Sequence, residues 1–292
     1  METQQFDLVR DDAYAVWRDG RLAVRPTRIE DLVVEVADVA ALTAAEHAAL
    51  LDRVRRCNMA VYVETRPAPG RDDKQALRAL GERFGLVSLD CNHLADDDGI
   101  TPLSVHQGGT RARYIPYTDR PIAWHTDGYY NEPPRRVRGL LLHAASPAAA
   151  GGENTLMDPE LLYIRLRDED KGLIAALTRP DAMTIPGNDE EGMVRPAVAG
   201  PVFYVQDGRL AMRYTARGRN IEWHPDADVQ AAVAAIRRHL DAPAPDVFTA
   251  RLEAGWGLVS NNVLHTRERF TEDPARPRLL YRARYHDRIA GS

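Results

Sequence analysis

Two periodicities alternate along the chain. Residues 43–56 carry Ala44, His47, Ala48, Leu51 and Val54 at helical spacing, and Thr43 with Glu46 three residues on forms a capping box, so a helix is predicted there. Residues 72–84 read as a second helix stopped by Gly85, residues 159–166 and 171–177 as short helices, and residues 226–240 as a long amphipathic one. Short apolar or alternating runs predict strands at 32–36, 59–64, 86–89, 153–158, 247–252, 257–261 and 278–286. Residues 137–145 are apolar on both faces, which predicts a central strand. Asp19-Gly20 and Asp207-Gly208 lie between strand-like runs, so hairpins are expected at 14–22 and 203–214. Many short strands, with helices before and between them, predict a mixed α/β fold on a closed or double-sheet β core.

Composition narrows the function classes. The chain has 292 residues, 28% of them charged and 44% hydrophobic, which suits a substantial core. No repeat or low-complexity linker marks a boundary, so one domain over residues 1–292 is expected, with 1–40 as an N-terminal hairpin and strand extension. A formal net charge of −5 argues against general affinity for nucleic acid or anionic membrane. No apolar run approaches the roughly 20 residues that span a bilayer. The polar start Met1-Glu-Thr-Gln-Gln-Phe-Asp also lacks the parts of a signal peptide, so the expected location is the cytoplasm. Cys57 and Cys91 lack metal-ligand spacing and read as reduced thiols, a disulfide being the other reading. Asp96-Asp-Asp-Gly99 lacks the later ligands of a calcium loop and reads as a solvated turn.

The chemistry is concentrated around residues 121–130, Pro-Ile-Ala-Trp-His-Thr-Asp-Gly-Tyr-Tyr. Side chains two apart on a strand point the same way, so His125 and Asp127 are delivered to one face before the chain breaks at Gly128. His265, 140 residues later, is the expected third ligand. Two imidazoles and a carboxylate on one triangular face leave the opposite face of an octahedral ion open, as non-haem Fe(II) oxygenases require. On the last predicted strand Arg278, Leu280, Arg282, Arg284 and His286 share a face. Arg278 and Arg282 are roughly 13 Å apart along a strand, so they suit two different anions, one deep in the site and one nearer its mouth. Arg267, Arg269, Arg284 and Arg288 read as solvated charge.

Four motifs in order, His125-Thr-Asp127, Gly151-Gly-Glu-Asn-Thr155, Asn262-Val-Leu-His265 and Arg278-Leu-Leu-Tyr-Arg282, resemble the taurine dioxygenase (TauD/TfdA-like) family of Fe(II)- and 2-oxoglutarate-dependent oxygenases. The likeness runs from about Phe84 to Arg282. It implies a double-stranded β-helix, or jelly roll, and Fe(II) held by His125, Asp127 and His265. It further implies 2-oxoglutarate contacted by the Thr155 hydroxyl and ion-paired with Arg278, O2 as oxidant, and a homo-oligomer. Arg282 matches the family arginine that meets the substrate anion. Asp90 stands where sulfonate-using members have a substrate-contacting histidine, a departure that points away from taurine and towards an amine, hydroxyl or guanidinium. Because Asp127 supplies the carboxylate that related halogenases lack, hydroxylation, desaturation or C–X cleavage is implied rather than halogenation.

The resulting expectation is a dioxygenase acting on a small polar molecule, amino-acid-like or acidic. Arg213, Tyr129 and His93 are further candidates for lining the substrate pocket, against packing or solvated charge. Asn261 and Asn262 are expected to hold backbone groups around His265. Residues 178–201 read as a lid or as a surface loop. The competing classes are a zinc hydrolase using the same three ligands and a non-catalytic barrel that binds a small ligand.

Overall fold

The computed structural model describes residues 3–91, 96, 98–188, 195–219 and 221–292. Two sheets form its centre. The larger has strand order Val33–Val36, Met59–Glu64, Trp256–Ser260, Gly139–Ser146, Leu279–Tyr285, Thr101–Leu103, and the smaller Val247–Ala250, Asn154–Met157, Leu264–Arg267, Ile122–His125. Within these two sheets all neighbours are antiparallel except the first pair of the larger one.

Period-two alternation decides what each face meets. On the larger sheet Tyr62, Leu141, Val259 and Ala283 face helices α2 (Ala44–Cys57) and α3 (Asp73–Arg83), packing with Leu50, Val54, Leu77 and Leu80. Val61, Leu140, Leu142, Leu258 and Leu280 face the other way and pack with Leu156, Phe248 and Val263 of the smaller sheet region. The strand at 137–145 is therefore buried on both faces, as its pattern predicts. The outer side of the smaller sheet, with Met157 and Leu264, packs on α4 (Pro159–Glu169), α5 (Lys171–Leu177) and α6 (Ala227–Asp241). Capping follows the sequence at α2, where Thr43 Oγ1 accepts from Glu46 N at 3.2 Å and Glu46 Oε2 accepts from Thr43 N at 2.7 Å.

Three expectations change. Residues 14–22 are not a hairpin but part of α1 (Asp11–Val24). The Tyr14 hydroxyl donates to Asp168 at 2.7 Å and Arg21 reaches Asp158 and Glu160, each at 2.7 Å, so tertiary partners on and beside α4 outweigh the Asp-Gly signal. The expected strand at 86–89 is reduced to a single bridge, Leu89 to Tyr285. Residues 178–201 contain two short paired strands, Met183–Ile185 and Val198–Gly200, joined on one side by Glu222–Trp223. The tip of that segment, residues 189–194, lies outside the described residues. Both cysteines are free, Cys57 buried and Cys91 exposed. Among the described residues no helix is long and apolar enough to cross a membrane.

Candidate active site

Directly opposed residues of antiparallel strands share a face. The pairs His125 with His265, His265 with Leu156, and Leu156 with Phe248 put both histidines on the inner side of the smaller sheet, towards the larger one. Gly128, at φ +65°, turns the chain just after Asp127. A Cβ there would come within 2.4 Å of Val137 Cγ2, so glycine is required for the turn to close.

His125, Asp127 and His265 each offer a ligand atom, and these atoms lie within 4.8 Å of one another. The imidazole centroids are 4.2 Å apart. Each Nδ1 lies 2.9 Å from the carbonyl oxygen two residues earlier, Ala123 for His125 and Val263 for His265. An Nδ1–H donating to those carbonyls leaves each Nε2 lone pair for a metal. Burial pushes His125 down to about 3, with His265 beside it adding to the effect, and burial likewise lowers His265. Both rings are therefore neutral near pH 7, as metal binding requires. Burial would raise the Asp127 carboxyl, but the guanidinium of Arg282, with Arg284 behind it, outweighs burial and holds it below the usual carboxylate range. Arg282 Nη1 donates to Asp127 Oδ1 at 3.2 Å. The donor set of two neutral imidazoles and one ionised carboxylate thus fits a divalent iron.

Asn262 orders this corner. It accepts from Asp127 N at 2.8 Å and donates to Asp127 O at 2.9 Å and Val137 O at 2.8 Å. Its φ of 53° is the left-handed conformation that asparagine tolerates better than most residues. Asn261 instead donates to Asn58 and the Ser292 hydroxyl, on the side near the chain's end.

Arg278 is 4% exposed and stacks over Phe270, with its Cζ 4.7 Å from the ring centroid. Burial lowers its pKa to about 10, and among the described residues no carboxylate lies within ion-pair distance of its guanidinium. The Gly151-Gly152 pair turns the chain beside Phe270. Both have positive φ, a Cβ at Gly151 would sit 2.3 Å from Arg269 O, and one at Gly152 would lie 3.8 Å from Arg278 Nε.

The remaining sequence candidates divide. Thr155 does not share the face of the histidines: it opposes Thr249, their hydroxyls are 3.2 Å apart, and its neighbour Met157 packs on the outer core. Asn154 and Leu156 alternate to the inner face. Asn154 is 6% exposed and donates to Gly152 O at 3.4 Å. Asp90 does not face the pocket as a free carboxylate. It is 2% exposed and pairs with Arg284 at 2.6 Å, whose Nη1 donates to the Tyr130 hydroxyl at 2.8 Å. Arg284 and Arg267 are accordingly not solvated. Arg267 is 5% exposed and donates to the carbonyls of Ile115, Pro116, Thr118 and Arg120, fastening that loop. Arg213 is buried and donates to Met183 O at 2.8 Å and Val198 O at 3.1 Å, inside the small three-stranded sheet. Tyr129 is half-buried, with its ring centroid 5.3 Å from that of Tyr130, and it packs against the outer core, where burial raises its hydroxyl. His93 lies outside the described residues.

Comparison with known proteins agrees with this geometry. The profile of the taurine catabolism dioxygenase TauD, TfdA family matches residues 24–284. A uridine-5′-phosphate dioxygenase from a Streptomyces species is 36% identical over 219 residues, covering 71% of this chain and 77% of that protein. Among solved structures, asparagine oxygenase with Fe(II), 3-hydroxyasparagine and succinate superposes with a TM-score of 0.62 at 15% identity, over 85% of this chain and 81% of that one. The oxygenase OrfP with iron and α-ketoglutaric acid gives 0.62 at 17% identity, over 85% and 81%. The chain belongs to the TauD/TfdA family and is a non-haem iron dioxygenase that uses Fe(II), 2-oxoglutarate and O2.

Proposed function

We propose that this dioxygenase oxidises a C–H bond of a small anionic metabolite, and that the anion is a phosphate monoester of the nucleotide class. The observation that carries the reading is the metal corner, where the cation Arg282 stands 3.2 Å from the ligand carboxylate Asp127 and Asp90 is already paired with Arg284, so among the described residues no free carboxylate is offered there. An amino-acid zwitterion would need a free carboxylate for its ammonium group, and the one expected from sequence is occupied. The relative at 36% identity is named for a nucleoside monophosphate, which supports the same direction. The amino-acid oxygenases found by structure are too distant to weigh on substrate.

In this reading His125, Asp127 and His265 hold the iron through two Nε2 atoms and a carboxylate oxygen. Bound together, iron, 2-oxoglutarate and O2 supply a strong oxidant, with the co-substrate decarboxylated to succinate. Arg278 forms a charge-assisted pair with the distal carboxylate of 2-oxoglutarate, and Asn154, turned to the inner face of the sheet, is the candidate amide partner. Phe270 and the Gly151-Gly152 turn keep that guanidinium dry, which strengthens the pair. Arg282 keeps Asp127 ionised and aims it. Asn262 fixes the Asp127 backbone, so the carboxylate reaches the metal from one direction. Hydroxylation is the simplest outcome, while desaturation and C–X cleavage use the same positioning. The antiparallel sheets that face each other are read as the jelly roll of the family, in one domain spanning residues 1–292, acting in the cytoplasm as a homo-oligomer. A zinc hydrolase would give Arg278 and Asn154 no task.

The test is succinate release from 2-oxoglutarate with Fe(II) and O2, screened across nucleoside monophosphates, their nucleosides and free amino acids. Stimulation by a monophosphate above its nucleoside supports the reading. Stimulation by amino acids alone overturns the substrate class.

A further inference from the structure

We infer that Arg136 and Arg213 together form a binding site for a phosphate-like oxyanion, on backbone that flanks the metal corner. Arg213 is 3% exposed, and its Nη2 donates to Met183 O at 2.8 Å and Val198 O at 3.1 Å. Those two bonds anchor the head and leave its Nε and Nη1 buried without a hydrogen-bond partner. Arg136 is half-buried, its Cζ lies 3.8 Å from the centroid of the Tyr204 ring, and its Nε is likewise buried and unpartnered. The two heads converge at Gly200. A Cβ there would lie 2.6 Å from Arg213 Nη1 and 3.7 Å from Arg136 Nη2, so the absent side chain leaves room for both.

Charge separates this pair from its neighbours. Arg135 lies 3.7 Å from Asp90 Oδ1 and Arg138 lies 2.6 Å from Asp207 Oδ2, whereas among the described residues no carboxylate is within ion-pair distance of Arg136 or Arg213. Burial lowers Arg213 to about 10, with the charge of Arg136 adding to the effect, so Arg213 is still charged near pH 7. Two like charges side by side, with buried donors that meet no acceptor, carry a free-energy cost that a bridging anion offsets. The guanidinium forks match the oxygen pairs of a tetrahedral oxyanion through hydrogen bonds of about 2.8 Å. The backbone sets the pair beside the metal corner. Tyr214, next to Arg213, donates from N to Thr126 Oγ1 at 3.1 Å and accepts from Thr126 N at 3.0 Å, and Thr126 lies between His125 and Asp127. Val137, next to Arg136, accepts at 2.8 Å from Asn262 Nδ2, whose side chain also holds Asp127 N. Two sources share this chemistry, the phosphate ester of the primary substrate and a free phosphate-like anion, and the site itself does not depend on the substrate class proposed above.

The experiment titrates inorganic phosphate calorimetrically into the anaerobic Fe(II)–2-oxoglutarate protein, in wild type, Arg136→Ala and Gly200→Ala. Saturating 2-oxoglutarate keeps Arg278 occupied. Expected is saturable binding in wild type, weakened about 10- to 100-fold in Arg136→Ala, the scale of a lost charged hydrogen bond. Gly200→Ala should weaken it as well, because the new methyl group displaces the Arg213 head. The visible band of the Fe(II)–2-oxoglutarate complex should form at unchanged co-substrate concentration in both variants, which a general structural defect would not spare. No saturable phosphate binding in wild type, or binding of wild-type strength in either variant, overturns the inference. Uridine 5′-phosphate then tells the sources apart. If it displaces phosphate from wild type, and Arg136→Ala raises its KM but not that of uridine, the site takes the substrate's ester. If the two bind together, the site takes a free anion. If uridine 5′-phosphate neither displaces phosphate nor stimulates succinate release, the oxyanion site stands and the nucleotide class falls.

Discussion

Replacing Asn262 with alanine removes three buried hydrogen bonds, those to Asp127 N, Asp127 O and Val137 O, and leaves a residue at φ 53° without the side chain that stabilises it. At about 1 kcal/mol per bond and about 1 kcal/mol for the left-handed backbone, the variant should lose about 4 kcal/mol. Domain stabilities of about 5–15 kcal/mol mean that it still folds, with a lower denaturant midpoint. The bonds hold the backbone of a ligand residue, so Fe(II) affinity should fall about 10- to 100-fold, read by anaerobic titration independently of turnover. Asn262→Asp is the informative companion. It keeps the acceptor for Asp127 N but turns a buried carboxylate oxygen onto the carbonyls of Asp127 and Val137, so it should be at least as destabilised as alanine. A midpoint for Asn262→Ala equivalent to less than about 1 kcal/mol, together with unchanged iron affinity, would refute the assignment of Asn262 as the residue that orders this corner.

Two further outcomes can be checked on the same protein. Asn154→Ala should raise KM for 2-oxoglutarate several-fold while Thr155→Val leaves it nearly unchanged, and the reverse ranking in steady-state assays would restore Thr155 to the site. Burial raises the Cys57 thiol to about 12, whereas Cys91 is exposed. A thiol reagent at pH 8 should therefore label one cysteine in native protein and both on unfolding, as counted by mass spectrometry.

The three candidate ligands that the structure brings together were legible because their signal is local on each strand. His125 and Asp127 are two apart, and a period of two is enough to put them together. The α2 capping box and the doubly apolar strand at 137–145 were legible for the same reason. What was lost depended on partners far away in sequence. Residues 14–22 alternate well enough to resemble a strand, and only the contacts with Asp158, Glu160 and Asp168, more than a hundred residues later, reveal the helix. Arg267 and Arg284 looked like surface charge because nothing in a sequence distinguishes a solvated guanidinium from one buried on carbonyls or on Asp90. Thr155 was taken from the motif Gly151-Gly-Glu-Asn-Thr155, and a motif does not carry the strand phase that sets Thr155 opposite Thr249.

The most direct test of the active site is an anaerobic titration of the metal-free protein with Fe(II) and 2-oxoglutarate, following the weak visible charge-transfer band of the chelated complex. The account predicts that the band forms in wild type, is lost in His265→Ala, and needs much more 2-oxoglutarate in Arg278→Ala. A band that persists undiminished in His265→Ala, or an Arg278→Ala titration that matches wild type, would contradict the assignment of the metal and co-substrate residues.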